Sequence, residues 1–232
     1  MKMDGAMLTV GDLKQTLRDE LGLSQRTSLV ESFVAQPKQF TNTSSALNDS
    51  TFSDHISLYE GYIRSFNATS AQLDTANRED ANPTSQFRSL KRDETYLLNA
   101  IYLHELFFAN VGDKSSMLHT DSIPYIRLSR DFGEFDSWSD DFIACALSAR
   151  EGWVVTCLNM FLKRYVNVIV DGHDSGIPLG CMPVLVIDMW THSRKDFKNA
   201  PDAYVRAMMS ELNWRTIESR FVRAEHVVDA LK

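Results

Sequence analysis

The sequence predicts an α+β fold: an N-terminal helical hairpin packed on a C-terminal α/β domain with a small antiparallel three-stranded sheet. Three observations carry this expectation. Two segments in the first half repeat apolar residues at helical spacing, three short β-type runs follow between residues 153 and 190, and helical periodicity returns after Pro201. Helices, then strands, then helices in a chain of 232 residues is the order of an α+β architecture, not of alternating parallel units.

The first element is a short helix. Thr9 and Asp12 make a capping-box-like start, Leu13, Leu17 and Leu21 share a stripe, and Gly22 supplies a stop. From Gln36 to Ser53 the chain turns polar, with Pro37, Asn42, Ser44, Ser45, Asn48 and Asp49, and predicts a linker. Residues 1-50 are accordingly read as an N-terminal arm with one short helix and a polar linker, 51-130 as a helical hairpin domain, and 131-232 as an α+β C-terminal domain.

A second helix starts near Asp54, with His55, Leu58, Tyr59, Tyr62, Ile63 and Phe66 on one apolar stripe. A long polar connection is expected from Asn67 to Ser89. The third helix places Leu97, Ala100, Ile101, His104, Phe107, Phe108 and Val111 on one face and ends at Gly112, so the two helices should pack as a hairpin. A short helical piece, Trp138 to Ala149, leads into β runs at Trp153–Leu158, Tyr165–Val170 and Val184–Trp190. These read as a meander, with a turn built from Gly172, Gly176 and Pro178 before the last run. Pro201 suits the first position of a closing helix whose Tyr204, Met208, Met209 and Leu212 face inward. A last helical turn holds Trp214, Ile217 and Phe221.

Composition narrows the function classes. A net charge of -7 without any basic run argues against direct nucleic-acid binding. Three cysteines, Cys145, Cys157 and Cys181, fit no zinc spacing and form no even framework, which predicts reduced thiols in a cytoplasm-like compartment. Met1 to Met7 contains no apolar run of the secretory type, and the apolar stretches Gly152–Leu162 and Met182–Trp190 are too short to span a bilayer. The expected location is the cytoplasm or a large intracellular or viral assembly, with neither secretion nor membrane contact.

Six histidines are present. His55 and His104 interrupt apolar helix faces, a position where a histidine is more often a satisfied core residue than a ligand. Asp188 closes an apolar β run, where a carboxylate is costly to bury unless paired or coordinated. His192 follows one helical turn later, although a D-x-x-x-H pattern is common by chance. His119 and His226 read as solvated or structural, the Met208-Met209 pair as core filling, and the Asp136–Asp141 cluster as a solvated helix start.

The stretch from Pro183 through Asp188 to His192, continuing with Lys198-Asn199, Pro201-Asp202, Tyr204 and Asn213-Trp214, resembles the C-terminal signature of the iron/manganese superoxide dismutases. Phe132–Phe135 through Gly152-Trp153 resembles that family's approach to its sheet. His104–Phe108 with Asn110, and Asp54–Asn67, resemble its two ligand helices. The resemblance implies one iron or manganese ion per chain held by His55, His104, Asp188 and His192, a hard-to-borderline donor set suited to a redox-active ion. It implies further that His173 sits against a metal-bound solvent, that Tyr62 is the gateway tyrosine, that Trp190 walls the pocket, and that superoxide is the substrate.

The sequence departs from the family at several points. His55 and Tyr62 are one residue closer than the family's spacing, so a strict alignment on Tyr62 puts Asp54 at the ligand position. The family's gateway histidine becomes Leu58 or Tyr59. Thr191 stands for a glutamate that bridges two subunits, Lys195 for a tyrosine of the same interface, and Val155 and Phe108 for tryptophans. These departures imply an altered dimer interface and proton network. Two readings follow: a divergent dismutase, or a noncatalytic subunit with this fold in a virion or ribosomal particle, using residues 1-50 to contact protein partners.

Overall fold

The computed structural model describes residues 35–113, 115–198 and 200–230. The helix expected around Leu13–Leu21 lies outside the described residues. Helix α1 spans Asp49–Thr75 and begins where the Asn48 side chain accepts a hydrogen bond from Thr51 N at 2.8 Å. It outlasts the expected Asp54–Phe66 stripe because Thr69 and Leu73 continue the buried face for two more turns. Helix α2 spans Gln86–Asn110, capped by Ser85, and Gly112 turns the chain at φ 94°. The polar connection is therefore residues 76–85, much shorter than Asn67–Ser89.

Helix α3, Ile123–Phe132, was not anticipated, although Ser122 as its cap and Pro124 in its first turn form a legible start signal. Helix α4 covers Phe135–Ser148 and buries Trp138, Phe142 and Ala146, while Asp136, Asp140 and Asp141 stay exposed as expected. Strands β1 (Gly152–Asn159), β2 (Arg164–Asp171) and β3 (Cys181–Asp188) form one antiparallel sheet, which agrees with the predicted fold class.

The strand order is β2-β1-β3, so the sheet is not a meander. Strand β1 takes the centre because it is buried almost throughout, whereas β2 has both ends exposed and suits an edge. Pro183, which has no N–H to donate, is tolerated in β3 because that strand is the other edge and because the register shifts opposite it, between Thr156 and Cys157. Gly152 has to be glycine: a Cβ there would meet the Val170 carbonyl oxygen at 2.0 Å.

Helix α5 (Pro201–Ser210) buries Tyr204, Val205 and Met208. The expected last turn is a full helix, α6 (Trp214–Ala230), because Ala224 extends the buried stripe of Ile217 and Phe221. Residues 35–48, read from composition as a linker, have no regular structure over most of their length, yet they are tied down. Leu47 is fully buried, Phe40 packs on Phe108 at 5.0 Å, and the Ser44 and Ser45 side chains donate to Glu211. Apolar anchors spaced along a polar stretch hold it to the core, a feature that average composition hides. Among the described residues, no helix is long and apolar enough to cross a membrane. All three cysteines are free thiols.

Candidate metal centre

Helices α1 and α2 each turn one histidine inward. His55 and His104 occupy apolar stripes and are buried at 1% and 0% exposure, with ring centroids 5.1 Å apart. Asp188 is the last residue of β3, paired in register with Trp153 of β1, and is completely buried. His192 lies one turn further along and is the least enclosed, with 30% of its side chain exposed. One ligand-type atom from each of His55, His104, Asp188 and His192 falls within 4.8 Å of all the others.

The hydrogen bonds fix which ring atoms face inward. His104 Nδ1–H donates to the Ala100 carbonyl at 2.6 Å, which leaves the Nε2 lone pair free, and that atom is buried with no partner. His55 Nε2 lies 2.9 Å from Asp188 Oδ2 and 3.3 Å from Ser193 Oγ. His192 Nε2 is 3.8 Å from the same carboxylate oxygen, too far for a hydrogen bond, and is likewise buried without a partner. Orphaned imidazole nitrogens converging on one carboxylate are costly when buried. A cation bonded to all of them would satisfy every one, so these residues fit a metal ion.

Their protonation suits that role. Burial, then the neighbouring His55, push the His104 imidazole down to about 3. Burial also lowers His192. For Asp188, burial works to raise the carboxyl, but the hydrogen bond and charge of His55, with His192 and His104, outweigh it and hold the group below its ordinary value. Near neutral pH His104 and His192 are thus neutral donors beside an ionised Asp188, which is the state metal binding requires.

A second layer lies beside it. Gly172, at φ 63°, turns the chain after β2 and presents His173. Trp153 Nε1–H donates to His173 Nδ1 at 2.9 Å, so the proton of the neutral ring sits on Nε2 and is donated to the Tyr62 hydroxyl at 3.1 Å. The Tyr62 phenol accepts that bond and keeps its own hydrogen free. Burial, reinforced by Tyr96 and Asp188, pushes Tyr62 up to about 12, and burial pushes His173 down to about 4. Trp190 stacks on His192 at 5.9 Å and lies 5.3 Å from His173, closing one wall.

The departures noted in the sequence now have a geometry. His55 and Tyr62, seven residues apart, lie on the same face of an uninterrupted α1, because two helical turns come close to seven residues. Asp54 points away: its carboxylate pairs with Lys195 Nζ at 2.5 Å on the surface. The Lys195 ammonium thus has its own counter-charge, although it still contributes to lowering His192. Tyr59 is buried and donates its hydroxyl to Glu105, while Leu58 faces solvent. Thr191 carries no carboxylate but donates its backbone N–H to Glu151 at 2.8 Å. Phe108 packs 5.2 Å from His55 and fills the wall it was expected to line. His119 and His226 are exposed.

Sequence reasoning missed three participants. Trp153, quoted only as part of an approach to the sheet, orients His173 and stands edge-on to His104 at 4.9 Å. Ser193 contacts His55, and the Tyr96 ring packs 4.7 Å from His173. Their signal is register: Trp153 stands opposite Asp188, and Ser193 immediately follows His192.

Comparison with known proteins decides the family. Residues 125–220 match the family described as iron/manganese superoxide dismutases, C-terminal domain. The chain is 32% identical over 192 residues to an iron superoxide dismutase of Cupriavidus metallidurans, covering 82% of this chain and 93% of that one. It belongs to the iron/manganese superoxide dismutase family. An iron superoxide dismutase of Aquifex aeolicus is 30% identical over 75% of this chain and 83% of its own. A manganese superoxide dismutase of Haloferax mediterranei is 34% identical over 57% of this chain and 90% of its own. The matched residues 125–220 include α4, β1–β3 and α5, and so the segment that supplies Asp188, His192 and His173.

Proposed function

We propose that the protein is a superoxide dismutase that holds one iron or manganese ion between His55, His104, Asp188 and His192. The observation that carries this reading is the convergence of those four side chains within 4.8 Å, three of them buried. Bound there, iron or manganese would supply a one-electron exchange in both directions, taking an electron from one superoxide and returning it to the next.

The chain's own residues have separate tasks. His104 and His192, held neutral, and Asp188, held ionised, offer the ion lone pairs that protons do not occupy, and His55 completes the set. The reduction half needs protons, because superoxide leaves as hydrogen peroxide. Tyr62 retains its phenolic proton throughout the neutral range, and His173 orients the oxygen that carries it. Trp153 in turn fixes the tautomer of His173. Trp190 and Phe108 limit the water that reaches the cluster.

Metal analysis after dialysis against a chelator, with superoxide decay measured on the same sample, tests the proposal. Stoichiometric iron or manganese and turnover that Asp188→Ala abolishes are expected. Folded protein that holds neither metal, or turnover indifferent to Asp188→Ala, would overturn it. The relatives named above are dismutases by name, and no observation favours a subunit of a virion or ribosomal particle.

A further inference from the structure

Away from the metal centre, a cavity of about 400 Å³ opens between the C-terminal half of α2, the start of β3 and the middle of α6. Its charged lining is Lys38, Glu105, Arg220 and Arg223. Glu105 is already committed, since it accepts the Lys38 ammonium and the Tyr59 hydroxyl. The two arginines then leave this wall positive, on a chain whose net charge is -7.

Arg220 is the unusual member. Its side chain is buried, with the residue only 6% exposed, yet its partners are all neutral oxygens: Asn110 Oδ1, Val184 O at 3.3 Å and Leu106 O at 3.2 Å. Among the described residues, no carboxylate pairs with Arg220 or Arg223. A guanidinium carries five N–H donors, and three hydrogen bonds leave two of them uncommitted. A buried cation without a counter-charge is expensive. Burial is the main reason that this guanidinium is lowered to about 10, and Arg223 adds to the effect. Most of the remaining lining is apolar, with Phe40, Leu106, Met182 and Pro183 facing the same space beside Tyr102 and Thr216.

We propose that this cavity binds a small organic carboxylate with an apolar body, its head paired with Arg220 and Arg223 and its body against Phe40, Leu106 and Met182. Arginine forks match a carboxylate in two parallel bonds, and the apolar wall disfavours a fully hydrated inorganic anion. The site shares no residue with the metal cluster, so it stands or falls separately from the dismutase reading.

Titration calorimetry on the full, metal-loaded chain tests it, with octanoate as the probe and octanamide and inorganic phosphate as comparators. Octanoate should bind saturably, one per chain, and raise the urea midpoint. Octanamide, which keeps the shape and lacks the charge, and the surface variant Arg223→Gln should each weaken binding about tenfold. Arg223→Gln should leave circular dichroism and metal content unchanged. Arg220→Met should abolish octanoate binding, and if that variant does not fold, the octanamide and Arg223→Gln arms decide alone. Absence of saturable octanoate binding, octanamide binding as tightly as octanoate, phosphate doing so, or an unaltered Arg223→Gln would each overturn the proposal.

Discussion

Asp188 Oδ2 and His55 Nε2 lie 2.9 Å apart with both side chains sealed from solvent, although 133 residues separate them in the chain. The contact joins the last residue of β3 to the first ligand helix, so the cluster depends on both parts of the fold being in register. Replacing the carboxylate by its neutral isostere should separate fold from site. Asp188→Asn can still face His55 by a hydrogen bond, yet it removes the one formal negative charge of the four. Metal occupancy is expected to fall at least about tenfold, in line with the loss that even supporting residues of metal sites produce. Circular dichroism should not change. Full occupancy in this variant, read by elemental analysis, would mean that Asp188 is not a ligand.

The metal-free protein should lose stability on mild acidification. The His104 and His173 imidazoles are held down to about 3 and about 4 by burial, whereas in the unfolded chain they titrate near the ordinary value of about 6.5. Between those limits the unfolded chain binds more protons than the folded one, so stability falls as pH falls. From pH 6.5 to 5 the cost is about 1.6 kcal/mol for each imidazole. Asp188, whose carboxyl is lowered, adds a loss only at pH values below its ordinary range. Urea midpoints of the apoprotein at the two pH values check this, and a midpoint indifferent to pH would show that these rings are hydrated.

Much of this site is legible in the sequence because its residues break local rules. Two histidines on apolar helix stripes and an aspartate closing an apolar strand are visible in one dimension. What could not be read was relational. The hydrogen bond from Trp153 to His173 depends on the turn at Gly172, and the opposition of Trp153 to Asp188 depends on strand register. The strand order escaped for the same reason: a meander and a central β1 have the same apolar runs, and only burial on both faces of β1 distinguishes them. The one-residue deficit between His55 and Tyr62 puts Asp54 at the ligand position in a strict alignment. A regular helix absorbs it, because residues seven apart already share a face.

His173 should prove a positioning residue through the two bonds it makes. In His173→Ala the Trp153 indole N–H, fully buried, loses its acceptor, which costs about 1–3 kcal/mol of stability. His173→Gln can accept from Trp153 and donate to Tyr62, and it should recover most of that loss. The alkaline limb of turnover offers a second readout. With its hydrogen bond from His173 removed, the Tyr62 phenolate is less stabilised, so the limb should move to higher pH in the alanine variant and return in the glutamine variant. Equal pH profiles in all three proteins would assign His173 a packing role alone.

The clasp between residues 44–46 and Glu211 should control how firmly the segment preceding α1 is held. The Glu211 carboxylate is buried at 1% exposure and accepts from Ser44 Oγ at 2.5 Å, from Ser45 N at 3.0 Å and from the Ser45 hydroxyl. Its own backbone carbonyl receives Gly112 N at 3.0 Å, so the same residue also anchors the turn after α2. Glu211→Ala removes the charge-assisted bonds to the half-buried Ser44 and the exposed Ser45 at an expected cost of about 2 kcal/mol. Glu211→Gln keeps the acceptor oxygen and should lose less than half of that. Cleavage by a nonspecific protease should concentrate between residues 41 and 48 in the alanine variant, since Leu47 would then be the main anchor of that stretch beyond Phe40 and the Lys38 contacts to Tyr59 and Glu105. A urea midpoint within experimental error of the parent, with no new cleavage there, would mean that the apolar anchors suffice without the carboxylate.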